Sequence, residues 1–208
     1  MEWIVQLPVL LFSVAVHELS KGLAALAKGD RSAEEQGRLT LNPIPHLDPF
    51  GTIFLPLLCY SLRLPMLGWA KPLDPAPATK PRDLVQIAAA GPASHLVLAL
   101  AMAVCYKVAV VSHVFAADFE KAVLDALVFG VSLNLVLAFF NLLPVHPLDA
   151  SRAVAGLLPE PWRARYESHA PYAGYVLAVL LGSRLLDPVV MRPARALLEA
   201  MSRAGLLS

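Results

Sequence analysis

Five long runs of apolar residues dominate this chain and leave few ways for it to fold. They cover residues 3–27, 50–69, 84–112, 122–145 and 172–191. An α-helix rises about 1.5 Å per residue, so about 20 apolar residues span a bilayer, and each run is close to this length. Charged residues make up only 16% of the chain and the mean hydropathy is +0.60, both atypical of a soluble domain. We therefore predict an all-α polytopic membrane protein that is embedded in the lipid bilayer.

Two regions depart from simple membrane crossings. Segment 50–69 contains two prolines and an arginine, so it is either a fifth span or a short, re-entrant element. Residues 193–208 are predicted to form a short amphipathic tail helix after the last span. Extended loop pieces are expected at 37–49 and 68–80. The predicted architecture is a single integral membrane domain over residues 1–208.

The charge and the cysteines exclude several other classes of protein. Lys and Arg number 17 and Asp and Glu number 16, so the formal net charge is +1. A nearly neutral chain has no global basic field with which to hold nucleic acid, and we predict no nucleic-acid partner. Cys59 and Cys105 lie in apolar stretches without CxxC spacing. They indicate neither a disulfide framework nor a cysteine-based zinc site.

The first apolar run carries ionisable residues in its middle, at His17, Glu18 and Lys21. Ionisable side chains are costly at membrane depth, so these residues are candidates for function. The run His17-Glu18-Leu19-Ser20-Lys21 would be the zinc-binding HExxH motif if position 21 were histidine. In the full motif, two histidines one turn apart bind Zn²⁺, and the glutamate is the general base for the metal-bound water. Here a lysine stands at one of those two ligand positions.

A second polar cluster, from Asn141 to Ala150, ends the fourth apolar run. Its two prolines must break a helix, and broken backbone is tolerated at membrane depth only when it is buried in protein or lines a wet cavity. Asp149 is therefore able to face His17 across a cavity, with Asn141 as a hydrogen-bonding group. We predict an intramembrane site that is assembled from these two distant segments.

An ordered series of motifs resembles the site-2 protease family of intramembrane zinc metalloproteases, in its compact bacterial type without a PDZ domain. The two polar clusters are similar to the family's HELGH and NLLPxxxLDG motifs. Three further stretches, Gly37 to Thr52, Gly68 to Pro72 and Gly91 to Ser94, are similar to GRLTLNPxPHLDPxGT, GWAKPV and GPxSN. The resemblance covers residues 10 to about 158. It leaves the last span and the tail, residues 159–208, outside the family core.

The resemblance implies a chemical role for four residues. His17 and Asp149 resemble two of the three protein ligands of zinc, and Glu18 resembles the base that deprotonates the attacking water. Asn141 resembles an asparagine that helps to hold an extended substrate strand. The implied activity is hydrolysis of peptide bonds in transmembrane protein substrates, with zinc as cofactor, in a bacterial cell membrane.

Lys21 stands at the remaining ligand position, and its ammonium has no lone pair for zinc. One interpretation is that Lys21 replaces the metal as a charge paired with Glu18 and Asp149, because intramembrane charges usually pair with one another. Another is that His95 or His146, which stand where similar sequences have Asn and Pro, supplies the missing nitrogen. Two functions therefore stay open: an intramembrane metalloendopeptidase, and a catalytically inactive pseudoprotease that binds transmembrane helices without metal.

Overall fold

The structure, a computed structural model, describes residues 2–73, 76, 79–112, 117–183 and 185–208 as helices and loops. The helices in chain order are α1 (Glu2–Ala27), α2 (Ser32–Glu35), α3 (Leu55–Ser61), α4 (Pro81–Ser112), α5 (Ala117–Phe140), α6 (Asp149–Leu157), α7 (Trp162–Glu167), α8 (Ala173–Gly182) and α9 (Arg192–Arg203). No strand occurs among the described residues, and the helical content is 74%. This confirms the predicted all-α class.

Among the residues that the structure describes, three helices are long and apolar enough to cross a membrane. They cover Ile4–Ala27 in α1, Pro81–Ser112 in α4 and Phe119–Phe140 in α5. The first, third and fourth apolar runs of the sequence therefore form helices of spanning length. This result supports the predicted class of polytopic membrane protein.

The second apolar run turns back on itself. A π-helical segment, Pro49–Phe54, leads into α3, and the chain then returns so that the Trp69 N–H donates to the Gly51 carbonyl at 3.2 Å. The Thr52 hydroxyl donates to the Trp69 carbonyl at 2.8 Å. The two ends of this hairpin thus lie together, which agrees with the re-entrant alternative and not with a crossing.

The last apolar run, 172–191, which was expected to be the last span, is interrupted. It comprises a 3₁₀ turn at Ala170–Tyr172, the 10-residue helix α8 and a π-helical segment at Asp187–Met191 that leads into α9. Helix α8 ends at Gly182, and Pro188 lies at the start of the π-helical segment, where it removes one backbone donor. At about 1.5 Å per residue, α8 is about half as long as a membrane core is thick.

Helix α4 lies at the centre of the bundle and packs against α1, α5 and α6. It runs antiparallel to α1, since the Ser20 hydroxyl lies 3.3 Å from the Ala90 carbonyl, whereas Val9 and Met102 both approach Gly130 of α5. The second half of α1 consequently meets the first half of α4. The polar cluster of the first apolar run lies at this contact.

The loops that precede α4 cover the C-terminal half of α1. The Lys71 N–H donates to the His46 carbonyl at 2.8 Å, and His46 Nε2 lies 3.0 Å from the Thr40 carbonyl. Leu73 is buried in a small core cluster that joins α1, α2 and α4. These contacts hold the polypeptide over the polar part of α1.

Helix α9 packs along α4 and α5 with its apolar side. Its buried residue Ala194, with the partly buried Leu198 and Met201, contacts a core cluster on those two helices. The buried members of that cluster on α4 and α5 are Ala99, Ala103, Val131 and Leu135.

Candidate functional site

The structure brings His17, Glu18 and Lys21 of α1 together with Asp149 of α6. His17 Nε2 lies 2.9 Å from one carboxylate oxygen of Asp149, Oδ2, and Lys21 Nζ lies 2.7 Å from the other, Oδ1. Lys21 Nζ also lies 2.7 Å from Glu18 Oε1. All four side chains are buried. The two distant polar segments of the sequence thus form one site, as predicted.

Helical geometry and a chain reversal place these four side chains. His17 and Lys21 are four residues apart, so they lie on one face of α1 one turn apart. Asp149 is the first residue of α6, directly after the proline-containing loop that ends α5. The Ala150 N–H donates to the Asn141 carbonyl at 2.9 Å, which closes that loop and points α6 back toward α1.

Gly91 allows α4 to pass close to the site. A Cβ at this position would lie 2.8 Å from His17 Nε2 and would also collide with His17 Cε1 and Asp149 Oδ2. Any larger residue would therefore push α4 away from the ion pairs. This contact explains why a glycine stands at position 91 of the sequence motif.

Arg38, which was not predicted as a site residue, completes the charge balance. Its Nη2 lies 3.4 Å from Glu18 Oε2 and contacts the Lys71 carbonyl, while its Nη1 donates to the Pro72 carbonyl at 2.7 Å. Arg38 is buried like the other charged residues. Two carboxylates thus face one ammonium and one guanidinium. The sequence placed Arg38 in the motif stretch Gly37 to Thr52, and the motif did not indicate that this loop folds over α1.

The ion pairs also affect the protonation of Asp149. Burial alone would raise the pKa of its carboxyl group, but the neighbouring Lys21 and His17 outweigh burial and hold this pKa below its usual range. Asp149 is therefore a carboxylate that lies within 2.9 Å of both neighbours.

A second polar group lies beside the ion pairs. The rings of His17 and His95 are 4.6 Å apart between centroids, and His95 Nδ1 lies 2.7 Å from Asn134 Oδ1. The Asn134 amide donates to Ser13 Oγ at 3.0 Å and to the Gly130 carbonyl at 2.8 Å. Asn134 was missed in the sequence, although an amide inside an apolar run is a signal that could have found it.

His146 and Asn141 have other partners. His146 Nδ1 lies 3.3 Å from Ser151 Oγ, and its ring lies 5.2 Å from that of Tyr166. The Asn141 amide donates to the carbonyl of Leu137 in the last turn of α5 at 2.9 Å. These contacts join the two residues to α5, α6 and α7, and a ligand role for His146 and a substrate role for Asn141 stay predictions.

The donor atoms of the site do not fit a zinc ion. Among the residues that the structure describes, no three His, Cys, Asp or Glu side chains are placed to hold a metal ion. Lys21 lies between the two carboxylates, with its ammonium 2.7 Å from an oxygen of each. A metal-binding histidine almost always donates its second ring N–H to a partner, yet Nδ1 of His17 is buried without a hydrogen-bond partner in the described part of the chain.

Comparison with curated proteins gives two bacterial relatives. The chain is 36% identical over 204 residues to "Putative zinc metalloprotease YwhC" of Bacillus subtilis (strain 168), which covers 93% of this chain and 89% of that protein. It is 29% identical over 184 residues to "Putative zinc metalloprotease Rip2" of Mycolicibacterium smegmatis, which covers 88% of this chain and 66% of that protein. No family model matches, and no solved structure gives a significant match.

Proposed function

The chain belongs to the site-2 protease-like family of zinc metalloproteases, and from this premise we propose that it is a pseudoprotease, which binds a transmembrane segment of another protein without metal and without hydrolysis. Its relatives carry the name of zinc metalloproteases. In this chain the ammonium of Lys21 takes the place that the family gives to a metal ligand. The bacterial relatives support a location in a bacterial cell membrane.

One observation carries this proposal: Lys21 Nζ lies 2.7 Å from both Glu18 Oε1 and Asp149 Oδ1. A protonated amine donates hydrogen bonds and offers no lone pair, so Lys21 satisfies the carboxylates and cannot bind a metal in this state. Glu18 is also close to Arg38 through its second oxygen. Both oxygens of Glu18 therefore already face a cationic partner, whereas a general base needs an oxygen within reach of the attacking water.

The retained architecture supports a binding role. Buried charges and the broken chain after α5 meet at the site, and such features are tolerated at membrane depth only inside protein or beside a wet cavity. The scaffold is thus built to receive polar backbone in the bilayer. An unwound transmembrane segment is the partner whose chemistry fits.

The alternative is an active intramembrane zinc metalloprotease, which the names of both relatives favour. That function would require a neutral Lys21 or its displacement from the two carboxylates. His17, Asp149 and a third group, His95 or His146, would then have to converge on one ion.

Metal content separates the two functions. We expect purified wild-type protein to contain far less than one zinc per chain by inductively coupled plasma mass spectrometry, and the Lys21→His variant to bind zinc. Lys107→His, which changes a lysine in α4 and not in α1, is the matched control. It should bind no more zinc than the wild type. Stoichiometric zinc in the wild type would overturn the proposal. A Lys21→His variant with no added zinc would show that the assumed ligand geometry is wrong.

Cleavage is the second measurement. A synthetic single-span peptide with a Gly-Pro break at its centre, reconstituted with the protein in nanodiscs, should bind and remain intact by mass spectrometry. Glu18→Gln should bind the peptide as wild type does. Zinc-dependent cleavage by the wild type that Glu18→Gln abolishes would establish an active protease instead. If neither the wild type nor Glu18→Gln bound the peptide, the proposed binding role would be rejected.

A further inference from the structure

A cavity of about 850 Å³ lies between α5, the hairpin of the second apolar run and the start of α9. This volume is within the range of ligand-binding cavities in proteins. Its walls are mostly apolar, and four of the residues that line it are buried: Leu67, Leu135, Leu186 and Ala194. Its described lining includes none of the residues that form the ion pairs with Lys21. The cavity is therefore separate from the candidate site.

Charged side chains line one part of this cavity. They belong to Asp187, Arg192 and Arg195. Arg192 Nε lies 3.1 Å from one carboxylate oxygen of Asp187, and Arg195 Nη2 contacts the other. Among the described residues of the lining, two guanidinium groups thus face one carboxylate. The cavity carries an excess of one positive charge.

These charges lie at membrane depth. Ala194, which stands between the two arginines, belongs to the same buried cluster as Val131 and Leu135 of α5. The spanning part of α5 covers Phe119–Phe140, so these two residues lie about 8–14 Å inside its nearer end. The hydrocarbon core of a bilayer is about 30 Å thick. Ionisable groups at this depth are costly unless they pair, and they mark functional sites.

We propose that this cavity binds an acidic side chain from the transmembrane segment of another protein. A second carboxylate would balance the charges of Arg192 and Arg195, and hydrogen bonds between guanidinium and carboxylate groups are strong and directional. The cavity is too small to enclose a helix, so the segment lies across its opening and inserts the acidic side chain with its apolar neighbours. This inference rests on the proposed function, because the bound transmembrane segment supplies the carboxylate.

The depth of the cavity favours a transmembrane segment over an acidic lipid. Phospholipid headgroups lie outside the hydrocarbon core, whereas Val131 and Leu135 lie inside it. An apolar helix with one central Asp or Glu carries its charge at the depth of the cavity. Such a charge is costly in lipid, so a paired position beside the two arginines is favourable.

Two synthetic single-span peptides test the inference. They are rich in leucine and alanine, carry a fluorophore and differ only in a central Glu or Gln. Binding to the full-length protein is measured by fluorescence at pH 8 in nanodiscs of phosphatidylcholine, which has no net charge. We expect the Glu peptide to bind about tenfold more tightly than the Gln peptide. Equal affinities, tighter binding of the Gln peptide or no binding of either would overturn the inference.

The arginines are tested by substitution. Arg192→Gln/Arg195→Gln should abolish the preference for the Glu peptide and leave the affinity for the Gln peptide unchanged, which also shows that the variant is folded. Arg203→Gln is the matched control, because Arg203 lies in the same helix, is 82% exposed and pairs with Glu199 outside the cavity. It should keep the preference. A preference that survives in the double variant, or that Arg203→Gln also abolishes, would overturn the inference.

Asp187→Asn gives a test in the opposite direction. This variant removes the negative charge of the cavity, so it should bind the Glu peptide more tightly than the wild type does and leave the affinity for the Gln peptide unchanged. Weaker or unchanged binding of the Glu peptide would show that the excess positive charge does not select the partner.

Nanodiscs with an equal share of phosphatidylglycerol distinguish a peptide from a lipid. The preference for the Glu peptide should persist in them. Its loss, with phosphatidylglycerol retained by the wild type and not by the double arginine variant in native mass spectrometry, would assign the cavity to lipid and overturn the inference. Equal binding of the two peptides would leave the proposed function standing, whereas stoichiometric zinc with a retained preference would reject only the proposed function.

Discussion

Lys21 Nζ and Asp149 Oδ1 lie 2.7 Å apart, and both side chains are almost completely buried. They belong to α1 and α6, so their contact forms only when the bundle closes. A buried ion pair often adds little stability compared with an apolar replacement, but removal of one partner leaves an uncompensated charge. A single substitution in this ion pair should therefore lower the free energy of unfolding strongly, and a substitution of both partners should lower it less.

Removal of the Lys21 ammonium tests this expectation. Lys21→Met leaves Glu18 and Asp149 buried without their shared cation, and we expect a loss of about 3–5 kcal/mol in the free energy of unfolding. The double variant Lys21→Met/Asp149→Asn should recover part of this loss. Unfolding in detergent micelles, followed by circular dichroism, provides the measurement. A single variant as stable as the wild type would show that the charges are not coupled in the folded protein.

An exposed ion pair is the matched control for Lys21. Lys121 Nζ lies 2.6 Å from Asp125 Oδ2, and both side chains are largely exposed. Because solvent screens such pairs, Lys121→Met should change stability by about 0–1 kcal/mol. A similar effect of the two lysine substitutions would contradict the importance of burial.

Gly91 provides a test of packing at the site. Gly91→Ala adds a Cβ that collides with His17 and Asp149, and we expect a loss of about 1–3 kcal/mol from overpacking. Gly174 in α8 is the control, since a Cβ there has nothing within 4 Å. Gly174→Ala should be neutral or stabilising by about 0.5–1 kcal/mol, because alanine favours helix. Equal thermal stability of the two variants would argue against the close approach of α4.

The contact of His95 with Asn134 should behave as a coupled pair. Asn134→Leu leaves the buried His95 Nδ1 without its partner, so we expect a loss of about 1–3 kcal/mol. The double variant His95→Leu/Asn134→Leu should lose less than the sum of the two single variants. A double-mutant cycle of unfolding free energies measures the coupling, and strict additivity would show that the two side chains do not interact.

Asp30 gives the protein a defined response to acid. Its carboxylate accepts hydrogen bonds from the N–H groups of Ser32 and Ala76 and from the Thr79 hydroxyl. Burial alone would raise the pKa of Asp30, but these hydrogen bonds outweigh burial and lower it to about 2. The folded pKa lies below the unfolded value of about 4, so the ionised carboxylate stabilises the folded state by about 2 kcal/mol above pH ~4.

This stabilisation should disappear as the pH falls from about 4 to about 2. Asp30→Asn should remove that part of the dependence of unfolding free energy on pH, and Thr79→Val should reduce it. The measurement is unfolding across this pH range in an acid-tolerant detergent. If the unfolding free energies of the wild type and Asp30→Asn changed in parallel across this pH range, Asp30 would not be the group that causes the acid response.

The long helices could be predicted from the sequence because membrane-spanning segments need only length and apolar composition. The same reasoning is less informative for 172–191, because average hydropathy does not reveal that α8 ends at Gly182 and that a π-helical segment begins at Asp187. It was undecided for 50–69, because hydropathy does not say whether a chain crosses a bilayer or turns back. The hydrogen bonds of Trp69 with Gly51 and Thr52 favour the chain that turns back.

The site was predictable where a motif fixes the spacing and unpredictable where two loops must meet. His17, Glu18 and Lys21 share one helix, and family motifs linked them to Asp149. Arg38 reaches Glu18 only because residues 71 and 72 accept its hydrogen bonds, a tertiary contact without a local pattern. The sequence left a ligand role open for both His95 and His146. The fold distinguishes them, because the His95 ring lies beside that of His17 whereas the His146 ring lies beside that of Tyr166.

The positive charge between Glu18 and Asp149 is part of the polypeptide itself. A dissociable ion must be acquired after synthesis and is withdrawn by chelators or during metal starvation, whereas a lysine side chain arrives with translation and never leaves. Folding of this protein should therefore proceed identically in metal-replete and metal-depleted cells. The contact of Lys21 with Glu18 and Asp149 should therefore persist under conditions in which a metal-dependent protein loses its ion.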